Sequence, residues 1–440
     1  MFSMKMFRNR SSRELVKHCR AISKSTTDKN SDALSRSLQK DNTIQVNLVE
    51  TGLDAPATAS NSSYRKWIKQ MQHNNIRALS TIQQSLARPT QIGLFSSKEQ
   101  SREFMALFPD LVRELTEVGR NQELPEVMKR FAKVLQYNTP NGKKNRGLIL
   151  VSSYKMLEDP DKLTQENLKL ANILGWCVEM MQTHYLMLDD IMDQSDTRRG
   201  APCWYKQKGI GLGAINDALL VQDAVYQLLK KYFKNHPLYI SILESFQDNH
   251  IKTCLGQSVD SMCLNLDGKP NLDMFTMSRY ASMVKFKTAY YSFVHPVTTA
   301  MYLAGLSDVE LQRQAKTILL EMGEFYQVQD DFLDCFGDPS TTGKQGTDIQ
   351  EGKCSWLAVM ALQRSSPAQR KIMEEHYGRS DPESVATIKK LYEELCLPST
   401  FAIYEEESFN LIKTHIQQIS KGLRHDLFFN IMDRIYRRES

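Results

Sequence analysis

Two D-D-x-x-D motifs carry the clearest chemical capacity in this chain: Asp189, Asp190 and Asp193, and then Asp330, Asp331 and Asp334. In a helix, residues i and i+4 share a face, so Asp189 with Asp193, and Asp330 with Asp334, can grip one ion cluster. Acids that end a surface helix are ordinarily a solvated face. Here each motif closes an apolar run, 174–188 before the first and 318–329 before the second. A helix that is apolar on most sides is buried, and buried carboxylates are costly unless paired or coordinated. Hard oxygen donors with room for water and phosphate oxygens suit Mg²⁺.

Basic residues follow each motif. Arg198 and Arg199 come after the first; Lys344 and Lys353 come after the second, in a Gly-rich stretch. A third basic site, Asn141-Gly-Lys-Lys-Asn-Arg-Gly, sets Lys143 and Arg146 at the start of an expected helix. Helix N-termini favour anions, and Arg grips phosphate oxygens bidentately. Any one of these could be a solvated surface patch. Three of them beside two metal-ready clusters imply two diphosphates, one held through metal and one held directly by Lys and Arg. Gln182 lies seven residues before Asp189, two turns deeper on the same face.

The elements that must position these groups are helices. From about Phe95, apolar residues recur at three and four spacing, as in Phe104, Leu107, Phe108, Leu111 and Leu115. Strand-like alternation is scarce, so the expected core is all-α. The chain has 440 residues, 41% of them hydrophobic, enough for a sizeable core, and its net charge of +5 is mild. No concentrated basic stripe follows the first forty residues, which argues against nucleic-acid binding. No apolar run approaches the ~20 residues that cross a bilayer. The eight cysteines form no C-x-x-C pair, and reduced buried thiols are expected rather than a disulfide or zinc framework.

Residues 1–27 carry Lys5, Arg8, Arg10, Arg13, Lys17, Arg20 and Lys24 against one acid, Glu14. An Arg- and Ser-rich, acid-poor, weakly amphipathic start is the pattern of an organelle transit peptide; a basic arm with no targeting role is the plainer alternative. The expected organisation is a mitochondrial transit peptide over 1–40, a polar extension over 41–95 with one helical stretch near Tyr64–Leu86, and an all-α domain over 96–440.

Together these segments resemble the farnesyl diphosphate synthases, short-chain trans-prenyltransferases. The resemblance runs from about residue 96 to the C-terminus. It rests on GKKNRG at 142–147, DDIMDQSDTRRGAPCWY at 189–205, GQSVD at 256–260, FKTAYYSF at 286–293, GEFYQVQDDFLDCFGDPSTTGKQGTDIQ at 323–350 and GKCSWL at 352–357. It implies a single large helical bundle of the isoprenoid synthase type around a deep central cavity, normally a homodimer. It also implies a Mg²⁺ cluster, about three ions per active site with Mn²⁺ or Co²⁺ as substitutes.

By that resemblance Asp189, Asp193 and Asp330 match metal ligands. Asp190, Asp331 and Asp334 complete the motifs, and Asp331 and Asp334 are further candidate ligands. Arg198, Lys287 and Lys344 match contacts to the allylic diphosphate. Lys143, Arg146 and Arg199, with Gln182, match the isopentenyl diphosphate site, and Lys353 is a further substrate contact. Thr288 and Gln327 match residues around the carbocation, with Gln257 and Asp260 beside them. The implied reaction condenses dimethylallyl or geranyl diphosphate with isopentenyl diphosphate to give farnesyl diphosphate, the released diphosphate taking the final proton.

Where the family sets chain length, one turn below the first motif, this sequence has His184 and Tyr185 rather than two phenylalanines. Both are bulky enough to block growth beyond fifteen carbons, while Met187 and Leu188 could tighten the pocket to ten. Tyr326 replaces a usual Phe, and the chain ends Arg437-Arg438-Glu439-Ser440 rather than in a purely basic tail. Geranyl diphosphate synthase is therefore one alternative. A terpene synthase derived from this family and a non-catalytic partner subunit are the others, and both sit poorly with two intact Asp motifs.

Overall fold

The computed structural model describes residues 98–120, 123–265, 268–337, 346–419 and 422–436. The expectations for the leader, the 41–95 extension, Lys344 and the tail from Arg437 fall outside them. Four helices open the described chain: α1 (Lys98–Arg120), α2 (Pro125–Asn138), α3 (Asn145–Leu157) and α4 (Gln165–Met192). A two-strand hairpin follows, β1 (Thr197–Arg198) against β2 (Ala201–Pro202), then α5 (Ala214–Phe233) and α6 (Tyr239–Ser261). After α7 (Met277–Val284) the chain continues through a π-helical segment, Lys285–Val294, into α8 (His295–Leu303). The long α9 (Val309–Phe336) is followed by the single turn α10 (Asp348–Glu351), α11 (Trp356–Arg364), α12 (Pro367–His376), α13 (Pro382–Glu394), α14 (Leu397–Gln417) and α15 (His425–Tyr436). The fold is all-α, as expected, with only the hairpin and one isolated bridge as strand pairing among the described residues.

The helices begin where the sequence supplies caps. Thr164 accepts from the Asn167 N–H to start α4, and Asp308 accepts from the Glu310 and Leu311 N–H groups to start α9. Both are 28 residues long and end in the Asp motifs. The core forms two apolar clusters. One joins α1–α5 with the start of α6 through Phe104, Leu111, Trp176, Val225 and Phe246. The other joins α7, the π segment and α9–α15 through Tyr280, Met322, Trp356, Leu397 and Phe428. Each Asp motif ends a long helix of a different cluster.

The π segment is held between α6 and α9 by two glycines. A Cβ on Gly256 would sit 2.1 Å from the Lys287 nitrogen, and one on Gly323 would sit 2.4 Å from the Ala289 Cβ. Only residues without a side chain allow both approaches. Pro296, just downstream, offers no N–H and crowds the carbonyl four residues before it, a conflict that widened turns relieve. Such π bulges gather at functional sites, and this one carries Lys287.

Candidate active site

The α4 motif is surrounded by cations drawn from three segments. Lys287 Nζ donates to Asp189 Oδ1 (3.0 Å) and Asp260 Oδ2 (2.5 Å). Lys353 pairs with Asp193 and lies 3.9 Å from Asp260. Arg198 Nε donates to Asp190 Oδ1 (2.8 Å), and its Nη2 also reaches Asp189 Oδ2 (3.4 Å). The hairpin aims two arginines apart. Arg199 and Gly200 both take positive φ (54° and 77°), a tight turn that sends Arg198 to the carboxylates. Arg199 instead crosses to the Asn138 carbonyl (3.3 Å) and lies against Gly142. Burial pushes the Asp193 carboxyl up, and the neighbouring Asp189 adds to it. Burial opposes the Lys287 charge, yet Asp260 and Asp189 win and raise its pKa.

The α9 motif is built differently. Asp331 is buried, and neutral donors reach it: Tyr280 Oη (2.7 Å) and the Trp356 N–H (2.7 Å) on Oδ2, and Gln327 Nε2 (2.8 Å) on Oδ1. Burial lifts its pKa to about 7 against the pull of those donors. Asp331, expected as a metal ligand, has its oxygens engaged in tying α9 to α7 and to the start of α11. Gln327, expected near the carbocation, is one of the groups holding it. Asp334 accepts from the Asp348 N–H (3.0 Å), and Asp330, like Asp334, is half-buried at the helix end.

A second, basic pocket lies at the start of α3. Arg146 donates to Ser292 Oγ (2.8 Å) and Tyr291 Oη (3.0 Å), and its guanidinium lies 4.6 Å over the Tyr291 ring. With its amide oriented to suit both neighbours, Gln182 accepts from Arg146 Nη1 (2.9 Å) and donates to Glu179 Oε2 (3.3 Å). Glu179 Oε1 in turn accepts from the Gly147 N–H (2.8 Å). Arg434 on α15 donates to Asn145 Oδ1 (2.7 Å), while its Nη1 is buried with no partner. Burial lowers the pKa of Arg199 and of Arg434, with Glu179 opposing in each case. Three guanidiniums around one buried carboxylate leave a positive pocket suited to an anion. Lys143 is exposed at its rim.

Several of these groups were not singled out from the sequence. Glu179 sits on an apolar helix and had no charged neighbour in sequence. Tyr280 is 51 positions from Asp331, and Arg434 is 289 from Asn145. Thr288 is half-buried in the π segment, and Gln257 touches Met192 Sδ at 3.9 Å. His184 is buried and its Nδ1 lies 2.9 Å from the Ala218 carbonyl, the surroundings of a core histidine. Tyr185 stands beside it. The seven described cysteines are all free.

The donor set fits a hard cation. Asp189, Asp193, Asp330 and Asp334 offer only carboxylate oxygens, and neither imidazole nor thiol competes for them. Among the described residues no three such side chains yet converge on one point. Ammonium and guanidinium groups balance the α4 carboxylates instead.

Acid clusters ending two buried helices beside a basic pocket define a prenyl diphosphate site, and sequence comparison agrees. The family model described as polyprenyl synthetase matches residues 128–395. The chain belongs to that family and is a prenyltransferase. Within it the chain groups with the farnesyl pyrophosphate synthases. It is 47% identical over 379 residues to that enzyme of Murgantia histrionica, covering 86% of this chain and 91% of the relative. It is 48% identical over 367 residues to that of Nezara viridula, covering 83% and 88%. A T. brucei farnesyl diphosphate synthase complexed with a bisphosphonate superimposes with a TM-score of 0.72 at 32% identity, covering 78% of this chain and all of that one.

Proposed function

We propose that this chain condenses dimethylallyl and then geranyl diphosphate with isopentenyl diphosphate to release farnesyl diphosphate, and that Mg²⁺ is its metal. The observation that carries the reading is the pairing of two unlike half-sites: carboxylates paired with cations at the end of α4, and an over-positive guanidinium pocket at the start of α3.

Asp189 and Asp193 on α4, with Asp330 and Asp334 on α9, would hold the metal, and when bound it supplies Lewis-acid charge to the leaving diphosphate. Lys287, Lys353 and Arg198 then turn from the carboxylates to the diphosphate oxygens and stabilise charge as the allylic C–O bond breaks. Arg146, Arg199 and Arg434 bind the diphosphate of the second substrate, and Gln182 orients Arg146. The apolar walls of both clusters exclude water, so the allylic cation lasts until the isopentenyl double bond attacks it. The departing diphosphate takes the proton that is lost.

The test is incubation of the full chain with dimethylallyl diphosphate, isopentenyl diphosphate and Mg²⁺, followed by dephosphorylation and mass spectrometry. Farnesol as the main product is expected; geraniol would favour the ten-carbon alternative. A hydrocarbon formed without isopentenyl diphosphate would overturn the reading.

Two further parts of the proposal concern assembly and address. Exposed apolar residues line α5 and α6 at helical spacing: Ile215 and Leu219 on the first, and Ile251 (59% exposed), Leu255 (54%) and Met262 (61%) on the second. A second copy of the chain covers this stripe, and light scattering should give twice the chain mass. The basic leader directs the chain to mitochondria, which fusion of residues 1–95 to a fluorescent protein would test. No described helix is long and apolar enough to cross a membrane.

A further inference from the structure

The α4 helix and the π segment touch at two successive levels. At the upper level Lys287 meets Asp189 (3.0 Å). Four residues on from Lys287 is Tyr291, and four residues back from Asp189 is Tyr185; these rings meet edge-on, centroids 5.5 Å apart. Four helical residues span about 6 Å, roughly the reach of one isoprene unit. A chain ionised at Asp189 and growing down this wall therefore encounters Tyr185 and Tyr291 next.

Beneath them lies a third ring from another helix. His250 on α6 stacks on Tyr185 with centroids 5.8 Å apart and planes 10° from parallel. Its other neighbours are His184, 5.5 Å away, and the Cys254 thiol, 3.7 Å from Nε2. His184 is fixed in turn by the Ala218 carbonyl of α5. Burial lowers the pKa of both imidazoles, so at neutral pH they present uncharged rings to a hydrocarbon. Cys254, one turn on from His250 along α6, is exposed.

We infer that His250 is a specificity-determining residue: its ring backs Tyr185 as the floor of the product channel and sets where chain growth stops. This rests on the prenyl-elongation reading above. It places part of the stop on α6, 65 residues after Tyr185, rather than wholly on the α4 positions that precede the Asp motif. Tyr185 already meets His184 and Tyr291, and stacked on His250 it cannot swing aside without losing a third ring contact. Because His250 is only half-buried, truncation there is compatible with folding.

The experiment compares wild type, His250→Ala, His250→Ser and His250→Trp, each as the full chain, supplied with dimethylallyl diphosphate and excess isopentenyl diphosphate. Products are quantified by mass spectrometry, and folding is checked by circular dichroism. The small variants should raise the ratio of twenty- to fifteen-carbon product by about tenfold or more, the discrimination that a pocket exerts against an extra apolar group. The tryptophan variant should move the distribution the other way, toward ten carbons. Opposite shifts are a signature that general loosening would not give. Folded variants that all keep the wild-type distribution, or that all shift in the same direction, would overturn the assignment. Absence of any elongation by the wild type would instead sink the functional reading, so the two failures are distinguishable.

Discussion

The ends of α4 and α9 carry the same five-residue acid motif on helices of the same length, yet the fold employs them differently. At α4 the middle acid, Asp190, meets a guanidinium, and its neighbours meet two lysines. At α9 the middle acid, Asp331, meets a phenol, an amide and a backbone N–H. Both sites oppose the helix dipole, which places partial negative charge at a C-terminus. The α4 end offsets that cost with cations that a diphosphate can recruit. The α9 end spends its middle acid on joining three helices and leaves the flanking pair half-buried at the helix end. A motif fixes which atoms are available; the neighbouring helices fix what they do.

The largest test of this difference is Asp189→Ala. Turnover should fall about a thousandfold or more while the circular dichroism spectrum is kept, because the metal would lose a ligand whereas Lys287 keeps Asp260 and Arg198 keeps Asp190 as partners. Turnover near wild type would break the metal assignment. Next is Lys287→Ala, for which a loss of about a hundredfold in kcat/KM for the allylic substrate is expected, from removal of one charged donor.

The paired substitutions Asp190→Asn and Asp331→Asn sharpen the comparison directly. The second should lower unfolding stability by about 1–3 kcal/mol, since the new amide N–H groups face other donors in a buried site. The first should cost activity more than stability. If Asp331→Asn leaves the melting point unchanged and abolishes turnover, the two motifs are alike after all.

A smaller effect separates the α4 side by pH. Burial holds His184 neutral, lowering its pKa from the ordinary 6.5 to about 4. As pH falls below 6.5 the unfolded chain takes up the proton first, so stability present above 6.5 is lost progressively toward pH 4. About 2 kcal/mol should disappear between pH 7 and pH 5. His184→Phe should flatten that part of the profile, which melting curves at the two pH values would reveal; an unchanged slope would show that His184 is not the source.

Local spacing settled a good part of this protein. Apolar periodicity made the fold all-α, and i, i+4 aspartates on buried helices marked both acid clusters. The seven-residue step put Gln182 on the Asp189 face, and it does reach Arg146. These signals are legible because helical geometry relates near neighbours in sequence by fixed angles and rises. Tertiary structure alone decided the rest. Lys287 and Lys353 meet α4 carboxylates 98 and 160 positions away, and Arg434 meets Asn145 across 289. The widened turns that carry Lys287 look helical in sequence, because residue types that suit a π turn suit an α turn as well and only the neighbouring helices select the wider bonding. Asp331 reads as a ligand in sequence and is a structural tie in the fold. Spacing says which way a side chain leaves its own helix, and only the packing of other helices says what it finds there.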